Sequence, residues 1–427
     1  MYKYVIEGGY PVKGKIKASG NKNAALPCLA ATILTNDPVT LRNIPEIEDV
    51  AVMIATLKYL GAEVENLSPH ELRIDTSGVS RFDVPEEQAR KVRASILLAG
   101  PLLARFGQAI LPSPGGDTIG RRRIDTHLLA LQELGARVSL DINMKFTAPK
   151  LIGAPIFLDE ASVTGTENAI MAAVLASGTT ILRNAASEPH VADLCKLLMS
   201  MGANIEGVGS NMLTIHGVEK LHGADYAIGP DYMEIGSFIG LAAVTHGEIS
   251  IEGVEPQDLP PLKVGFARLG INWTVQGTTL TVPGSQTMRV VADLGGQVPK
   301  IDDAPWPGFP PDLTSIMTVV ATQTEGTALI HEKMFESRMF FVDKLIGMGA
   351  KIILCDPHRA VVVGPSRLNG ALLVSPDVRA GMAMVIAALC ADGISTIQNV
   401  YQIERGYEKI TERLQALGAH ISRVEDK

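Results

Sequence analysis

Three consecutive arginines, Arg121, Arg122 and Arg123, follow a Ser-Pro-Gly-Gly turn and a lone carboxylate, Asp117, in the stretch SPGGDTIGRRRIDTH (113–127). Proline and glycine mark a loop whose backbone can take unusual angles and approach a ligand closely. The arginines offer planar forks suited to phosphate or carboxylate. A carboxylate beside that much positive charge points to chemistry on an anion; the plainer alternative is a solvated basic turn. A second stretch, VPKIDDAPWPGFPPDL (298–313), carries prolines at 299, 305, 307, 310 and 311 and ends at another candidate carboxylate, Asp312. Long proline-rich segments inside compact units tend to be functional. Asp312 is placed either as a general base or as a helix N-cap before Leu313.

Elements that would position these loops recur along the chain. The phrases LGAEV, LGARV, MGANI, LGINW, MGAKI and LGAHI put glycines at 61, 135, 202, 270, 349 and 418, between 67 and 79 residues apart. A second phrase precedes most of them: DPVTLRN, SGTTILRN, HGEISIEG, EGTALIHE and DGISTIQN, blurred only at FGQAILP. Each unit reads as a β-branched strand, then apolar residues at helical spacing such as Val191, Leu194, Leu197 and Leu198. A glycine C-cap and further strands such as MLTIHGV follow. One such unit cannot bury its apolar face alone. Six divide as three plus three, an α/β protein of two domains, each of pseudo-threefold form. The two longest units, of 74 and 79 residues, hold the two elaborated loops, one per domain, which places a site between domains.

Composition bounds the reading further. The chain has 427 residues, 46% hydrophobic and 20% charged, as expected of a soluble globular protein with two cores. Its net charge of −8 argues against a general nucleic-acid or membrane surface, so an anionic ligand must be held by a local cluster of cations. Cys28, Cys195, Cys355 and Cys390 lie far apart in mostly apolar surroundings and read as buried free thiols. The nine histidines lack metal-ligand spacing, and neither metal nor cofactor is expected. The segment Met1–Glu7 turns polar too soon for a signal peptide. The apolar run Ala380–Ala391 is too short to span a bilayer and reads as a buried helix. The expected location is the cytoplasm.

With ASGNKNAALPCLAA (18–31), RASILLAGPLLARFG (93–107), GGDTIG, FPPDL, FESR (335–338), SPDVRAG (375–381) and IERGYEKI (403–410), the chain resembles the enolpyruvyl transferases over essentially its whole length. Within them it is more similar to the branch acting on UDP-N-acetylglucosamine in peptidoglycan precursor synthesis than to the shikimate 3-phosphate branch. The latter has a serine-bearing lysine motif where this chain has Asn21-Lys22-Asn23. The resemblance implies two inverted α/β-barrel domains, 22–230 and 231–427, with 1–21 joining the second. It implies transfer of the enolpyruvyl group of phosphoenolpyruvate to a sugar hydroxyl, with Asp312 as base. Lys22, Arg122 and Arg405 match the phosphoenolpyruvate-binding cations, with Arg93 and Arg379 beside them. Asn23, Asp125 and Met334 match acceptor contacts, and Asp377 matches a carboxylate that organises neighbouring cationic side chains. The expected partners are thus phosphoenolpyruvate and a UDP-sugar, without nucleic acid or membrane insertion.

Asp117 stands where most of the family has cysteine. A free carboxyl has a pKa near 3.9 and a free thiol near 8.5, so serving as an acid at pH 7 would require raising Asp117 by about 3 units, about 4 kcal/mol. Neighbouring arginines push the other way. Asp117 is therefore read as a loop residue aiding protonation or product release, with Lys22 as an alternative proton donor. The epoxide antibiotic fosfomycin, which alkylates the family's cysteine, is expected to fail here. Other departures are Arg123 for a proline, Thr126 for a leucine-like residue and Glu160 where lysine is common. These leave open another acceptor, or a paralogue that binds a nucleotide sugar without catalysis; the full cation set argues against the latter.

Overall fold

A computed structural model of the chain describes residues 2–116 and 119–426. Asp117 lies outside the described residues. The chain divides into two compact units, one of Gly20–Gly116 with Arg123–Gly229, the other of Met1–Ser19, Asp117–Arg122 and Pro230–Lys427. Each has its own hydrophobic core.

Each unit contains three sheets, and one pattern builds nearly all of them. In the N-terminal unit Val39–Arg42 pairs antiparallel with Glu71–Asp75, which pairs with Glu63–Ser68, while the short strand Asp225–Ala227 runs parallel along the other side of Val39–Arg42. Thr179–Arg183 repeats this with Met212–His216, Asn204–Glu206 and parallel Pro155–Phe157. Gln108–Leu111, Met144–Thr147 and Arg137–Leu140 form the third sheet. The C-terminal unit has the same plan around Glu248–Glu252, Gly326–His331 and Ile394–Gln398. The phrases read from the sequence are the first strand of each repeat and the turn after its outer helix. All six of the recurring glycines have positive φ, from 74° to 112°, which an L side chain adopts only at a cost.

The last sheet closes in a way the local pattern did not show. Its middle strand is Tyr2–Glu7, paired antiparallel with both Ile394–Gln398 and His420–Glu425. The sixth repeat is thus completed by the beginning of the chain.

Every repeat also carries a second helix at the centre of its unit. Three of these in the C-terminal unit, Tyr232–Val244, Thr314–Thr322 and Val378–Cys390, pack on one another and are buried almost throughout. A helix buried on all faces has no polar stripe. Small residues let the axes approach: a Cβ on Gly236 would sit 2.5 Å from the Leu313 side chain. Two buried hydroxyls of Thr314–Thr322 return to the helix backbone, Thr318 Oγ1 donating to the Thr314 carbonyl at 2.8 Å and Thr322 Oγ1 to the Val319 carbonyl at 2.6 Å. In the N-terminal unit Lys22–Ala31, Ala99–Phe106 and Val163–Ala173 fill the centre, joined by the 3-10 turn Arg93–Leu98.

Three asparagines fix the strands that lead into central helices. Asn43, Asn184 and Asn399 each take φ of 57–58° just after the first strand of a repeat. Their side-chain amides donate to the carbonyls of Ile228, Leu158 and Ser375 at 2.8–2.9 Å. Asn184→Ala should lose that bond and meet the left-handed penalty, about 2 kcal/mol together. In a domain of this size that lowers Tm by roughly 4–8 °C. Asn184→Gly should recover the backbone part in the same thermal melt.

Two cysteine expectations need correction. Cys28 and Cys195 are buried thiols, but Cys355 is exposed and Cys390 half-buried. Cys355 sits on Lys351–Asp356, a strand at the edge of its sheet whose alternate residues face outward. Among the described residues no helix is long and apolar enough to cross a membrane.

Candidate active site

The C-terminal unit gathers its chemistry at the start of two central helices. Asp312 lies in the 3-10 turn Pro311–Leu313 that feeds Thr314–Thr322, and it does not cap that helix; the cap position is Leu313, with no side-chain bond. Its carboxylate is instead spanned by two arginines. Arg338 Nη1 donates to Oδ1 and Arg379 Nε to Oδ2, both at 2.9 Å. Arg338 also donates to the Pro311 carbonyl at 3.0 Å. Both arginine side chains are nearly closed to solvent, at 4% and 6% exposure, whereas Asp312 keeps 23% and thus one open side. Burial pushes the Asp312 carboxyl up, but Arg379 and Arg338 outweigh it and hold the group well below the usual carboxylate range.

Behind Arg338 lies Glu332, fully buried, its Oε2 3.9 Å from Arg338 Nε. Neither atom has a hydrogen-bond partner, nor has the buried Arg379 Nη1. Burial raises the Glu332 carboxyl to about 9, with Arg338 opposing, so at neutral pH it is held protonated. Two guanidinium charges thus meet at the Asp312 carboxylate, with Asp377 also acting on Arg338 and Asp231 on Arg379, and the guanidinium donors left over suit an anionic ligand.

Asp377 is the N-cap of Val378–Cys390, its Oδ1 accepting from the Arg379 and Ala380 amides at 2.8 and 2.9 Å. It orders Arg379 through the backbone. Arg379 sits in the first turn of its helix, where the macrodipole disfavours a cation; Asp312 and Asp377 offset that. Arg405 is buried, with Nη1 donating to Gln402 Oε1 at 3.0 Å. Met334 contributes its backbone amide to buried Asp303 at 3.2 Å. The described part of the arginine-rich loop is held by Glu336, whose Oε1 accepts from the Arg121 amide at 2.9 Å. Gly120, at φ 124°, allows that approach, since a Cβ there would lie 2.5 Å from Glu336 Oε2. The Arg121 side chain is exposed and Arg122 half-buried.

In the N-terminal unit Lys22 opens the helix Lys22–Ala31, again a cation against the dipole. Its ammonium meets buried Asp49 at 2.6 Å. Asn21 caps the helix by accepting from the Asn23 amide at 2.8 Å. Arg93, half-buried, donates to the Arg123 carbonyl at 3.0 Å. Arg123 pairs with Asp125 at 3.0 Å and lies 3.5 Å from Asp159. Asp159 also accepts from Thr126 Oγ1 at 2.7 Å. Two of the departures from the family pattern, Arg123 and Thr126, thus share one carboxylate. Glu160 adds to the electrostatic surroundings of Arg123.

Asp49, Glu332 and Arg338 were not singled out by sequence reasoning. Arg338 stood within the FESR motif; nothing local marked the other two.

Comparison with known proteins extends over the whole chain. The family model described as EPSP synthase (3-phosphoshikimate 1-carboxyvinyltransferase) matches residues 6–414. The UDP-N-acetylglucosamine 1-carboxyvinyltransferase of Treponema denticola is 68% identical over 421 residues, 99% of each chain. Its namesakes from Treponema pallidum and Bradyrhizobium diazoefficiens are 63% and 56% identical, each covering 98% or more of both chains. Among solved structures, the enolpyruvyl transferase NikO from Streptomyces tendae is similar with a TM-score of 0.88 at 25% identity, covering 100% of this chain and 99% of its own. EPSP synthase from Acinetobacter baumannii, at 18% identity and a TM-score of 0.77 over all of both chains, shares the fold.

Proposed function

Because the chain belongs to the EPSP synthase family of carboxyvinyltransferases, we propose that it transfers the enolpyruvyl group of phosphoenolpyruvate to the 3-hydroxyl of UDP-N-acetylglucosamine and releases phosphate. The observation that carries the acceptor is 68% identity, across 99% of both chains, to a protein named for that activity. The peptidoglycan pathway and a cytoplasmic location follow as parts of the same proposal.

The reaction sets the roles. The sugar oxygen bonds to C2 of phosphoenolpyruvate as its proton leaves and C3 gains a proton. Loss of a C3 proton then expels phosphate and restores the double bond. Asp312, ionised and open on one side, is the base for the hydroxyl proton. Lys22, Arg122 and Arg405 take the donor's anionic groups, with Arg93 and Arg379, whose buried Nη1 is unsatisfied, beside them. Protonation of C3 falls to Lys22 or the Asp117 loop. Asn23, Asp125 and Met334 contact the acceptor, and Asp377 keeps Arg379 in place.

Phosphate release from phosphoenolpyruvate, with UDP-N-acetylglucosamine and shikimate 3-phosphate offered in turn, tests the reading. Release with the first alone is the expected result. Release only with the second would move the protein to the other branch, and release with neither would remove the transferase activity.

A further inference from the structure

We propose that the N-terminal unit holds a second ligand site, a pocket for an organic phosphate at the end of the helix Ala99–Phe106 away from Arg93. The 3-10 turn Arg93–Leu98 runs directly into that helix, a helical stretch about 24 Å long, and the pocket lies at its far end. It is a cavity of about 670 Å³, within the range that small-molecule sites occupy and many times the size of a phosphate ion. Buried Leu103 and Leu151 and half-buried Phe106 give it an apolar floor, and exposed Arg137 and Lys150 stand at its rim. Such a site is independent of the transferase reading.

Charge selects an anion. The two rim cations come from neighbouring backbone: Arg137 pairs across its sheet with Thr147, and the Ile152 amide donates to the Leu134 carbonyl at 3.0 Å. Their long side chains can therefore converge on one anion. Among the described residues neither has a hydrogen-bond or ion-pair partner, and no carboxylate lines the pocket, although acids outnumber bases by 46 to 38 in the chain. Arg105, which also lines the pocket, adds a third charge. Its guanidinium bonds only neutral oxygens, among them the Ile33 and Thr76 carbonyls at 2.9 Å, and lies 4.9 Å over the Phe106 ring. The carbonyl end of a helix disfavours an anion, but here the Leu103 and Gly107 carbonyls already accept from the Gly107 and Ala148 amides, each at 2.9 Å. Three cations without a carboxylate partner, beside an apolar floor, suit a phosphate that carries a ring or an alkyl chain.

The test is calorimetric titration of the full chain with ADP, octyl phosphate and inorganic phosphate, each with UDP-N-acetylglucosamine in excess to occupy the candidate active site. ADP and octyl phosphate are two sources of the same chemistry, a nucleotide and an amphiphile. Binding by either supports the site and says which body the floor accepts. Inorganic phosphate, which has no body to place there, should bind about tenfold or more weakly than the better of the two. Arg137→Glu and Lys150→Glu, both at exposed positions, should each weaken that binding about tenfold or more and leave the thermal melt unchanged. The pair Arg137→Gln and Lys150→Gln, which removes charge without reversing it, should weaken it less and in the same direction. Binding by neither organic phosphate overturns the proposal, as does inorganic phosphate binding equally well. So does binding that the excess UDP-N-acetylglucosamine abolishes, or that survives unchanged in the Arg137→Glu, Lys150→Glu double variant.

Discussion

Asp312→Asn should lower kcat by about 10²–10⁴-fold, the range that a positioned base contributes, while binding of UDP-N-acetylglucosamine survives. The amide keeps the shape of the carboxylate and can still accept from one arginine, but it cannot take a proton from the sugar hydroxyl. Its NH2 also faces the second arginine, leaving a buried guanidinium short of a partner, so some loss of stability accompanies the loss of rate. The two effects separate by pH. Asp312 has its pKa depressed in the folded chain, so its contribution to stability is present above the ordinary carboxylate pKa and is lost as pH falls through that value toward the depressed one. The wild-type melting temperature should therefore fall below about pH 4 more steeply than that of Asp312→Asn. Calorimetry over that range measures the linkage, and phosphate release at neutral pH measures the catalysis. Retained turnover in the variant would remove Asp312 from the base role.

What the residues disclosed and what they hid divides along a physical line. The glycines at 61, 135, 202, 270, 349 and 418 were legible because a positive φ is a local demand that few other residues meet. The second helix of a repeat was legible at Val378–Cys390, whose apolar run is long, and at the start of Lys22–Ala31, which is alanine-rich. Lys22–Ala31 holds a proline and Thr314–Thr322 four hydroxyl residues, and a helix buried on every face has no period to detect. Placement of Tyr2–Glu7 between Ile394–Gln398 and His420–Glu425 joins opposite ends of the chain, which no window along the sequence reports. The site followed the same rule. Asp312 and Arg379 were named from motifs, and the structure puts them in contact. Asp49 and Arg338 act as partners of named residues, and partnership is tertiary. Asp49 lies in the first turn of its helix, where an acid is favoured whatever its partner, so nothing local marks its pairing with Lys22.

Wild-type protein incubated with fosfomycin should show no covalent adduct, and Asp117→Cys should gain one. The physical case rests on nucleophilicity and charge. Aspartate is ionised at neutral pH but is a poor nucleophile toward an epoxide, whereas a thiolate is a strong one. Free cysteine, with a pKa near 8.5, supplies little thiolate at pH 7. Arginines next to a thiol lower that pKa, and Arg121, Arg122 and Arg123 follow within six residues. A cysteine introduced at 117 should therefore react with a rate that rises through a pKa below 8.5, a dependence that intact-mass measurement across pH would follow. The substitution also reverses the proton-donor problem. A thiol that is partly protonated near pH 7 can give up its proton, while a carboxylate among arginines carries none to give. If Asp117 stays ionised and serves the loop only in protonation by another group or in product release, Asp117→Cys should retain turnover with a new alkaline limb set by the thiol. If instead Asp117 is itself the acid, wild-type kcat should already decline as its raised pKa is passed. An adduct on the wild-type loop would show that the reactive position was misassigned.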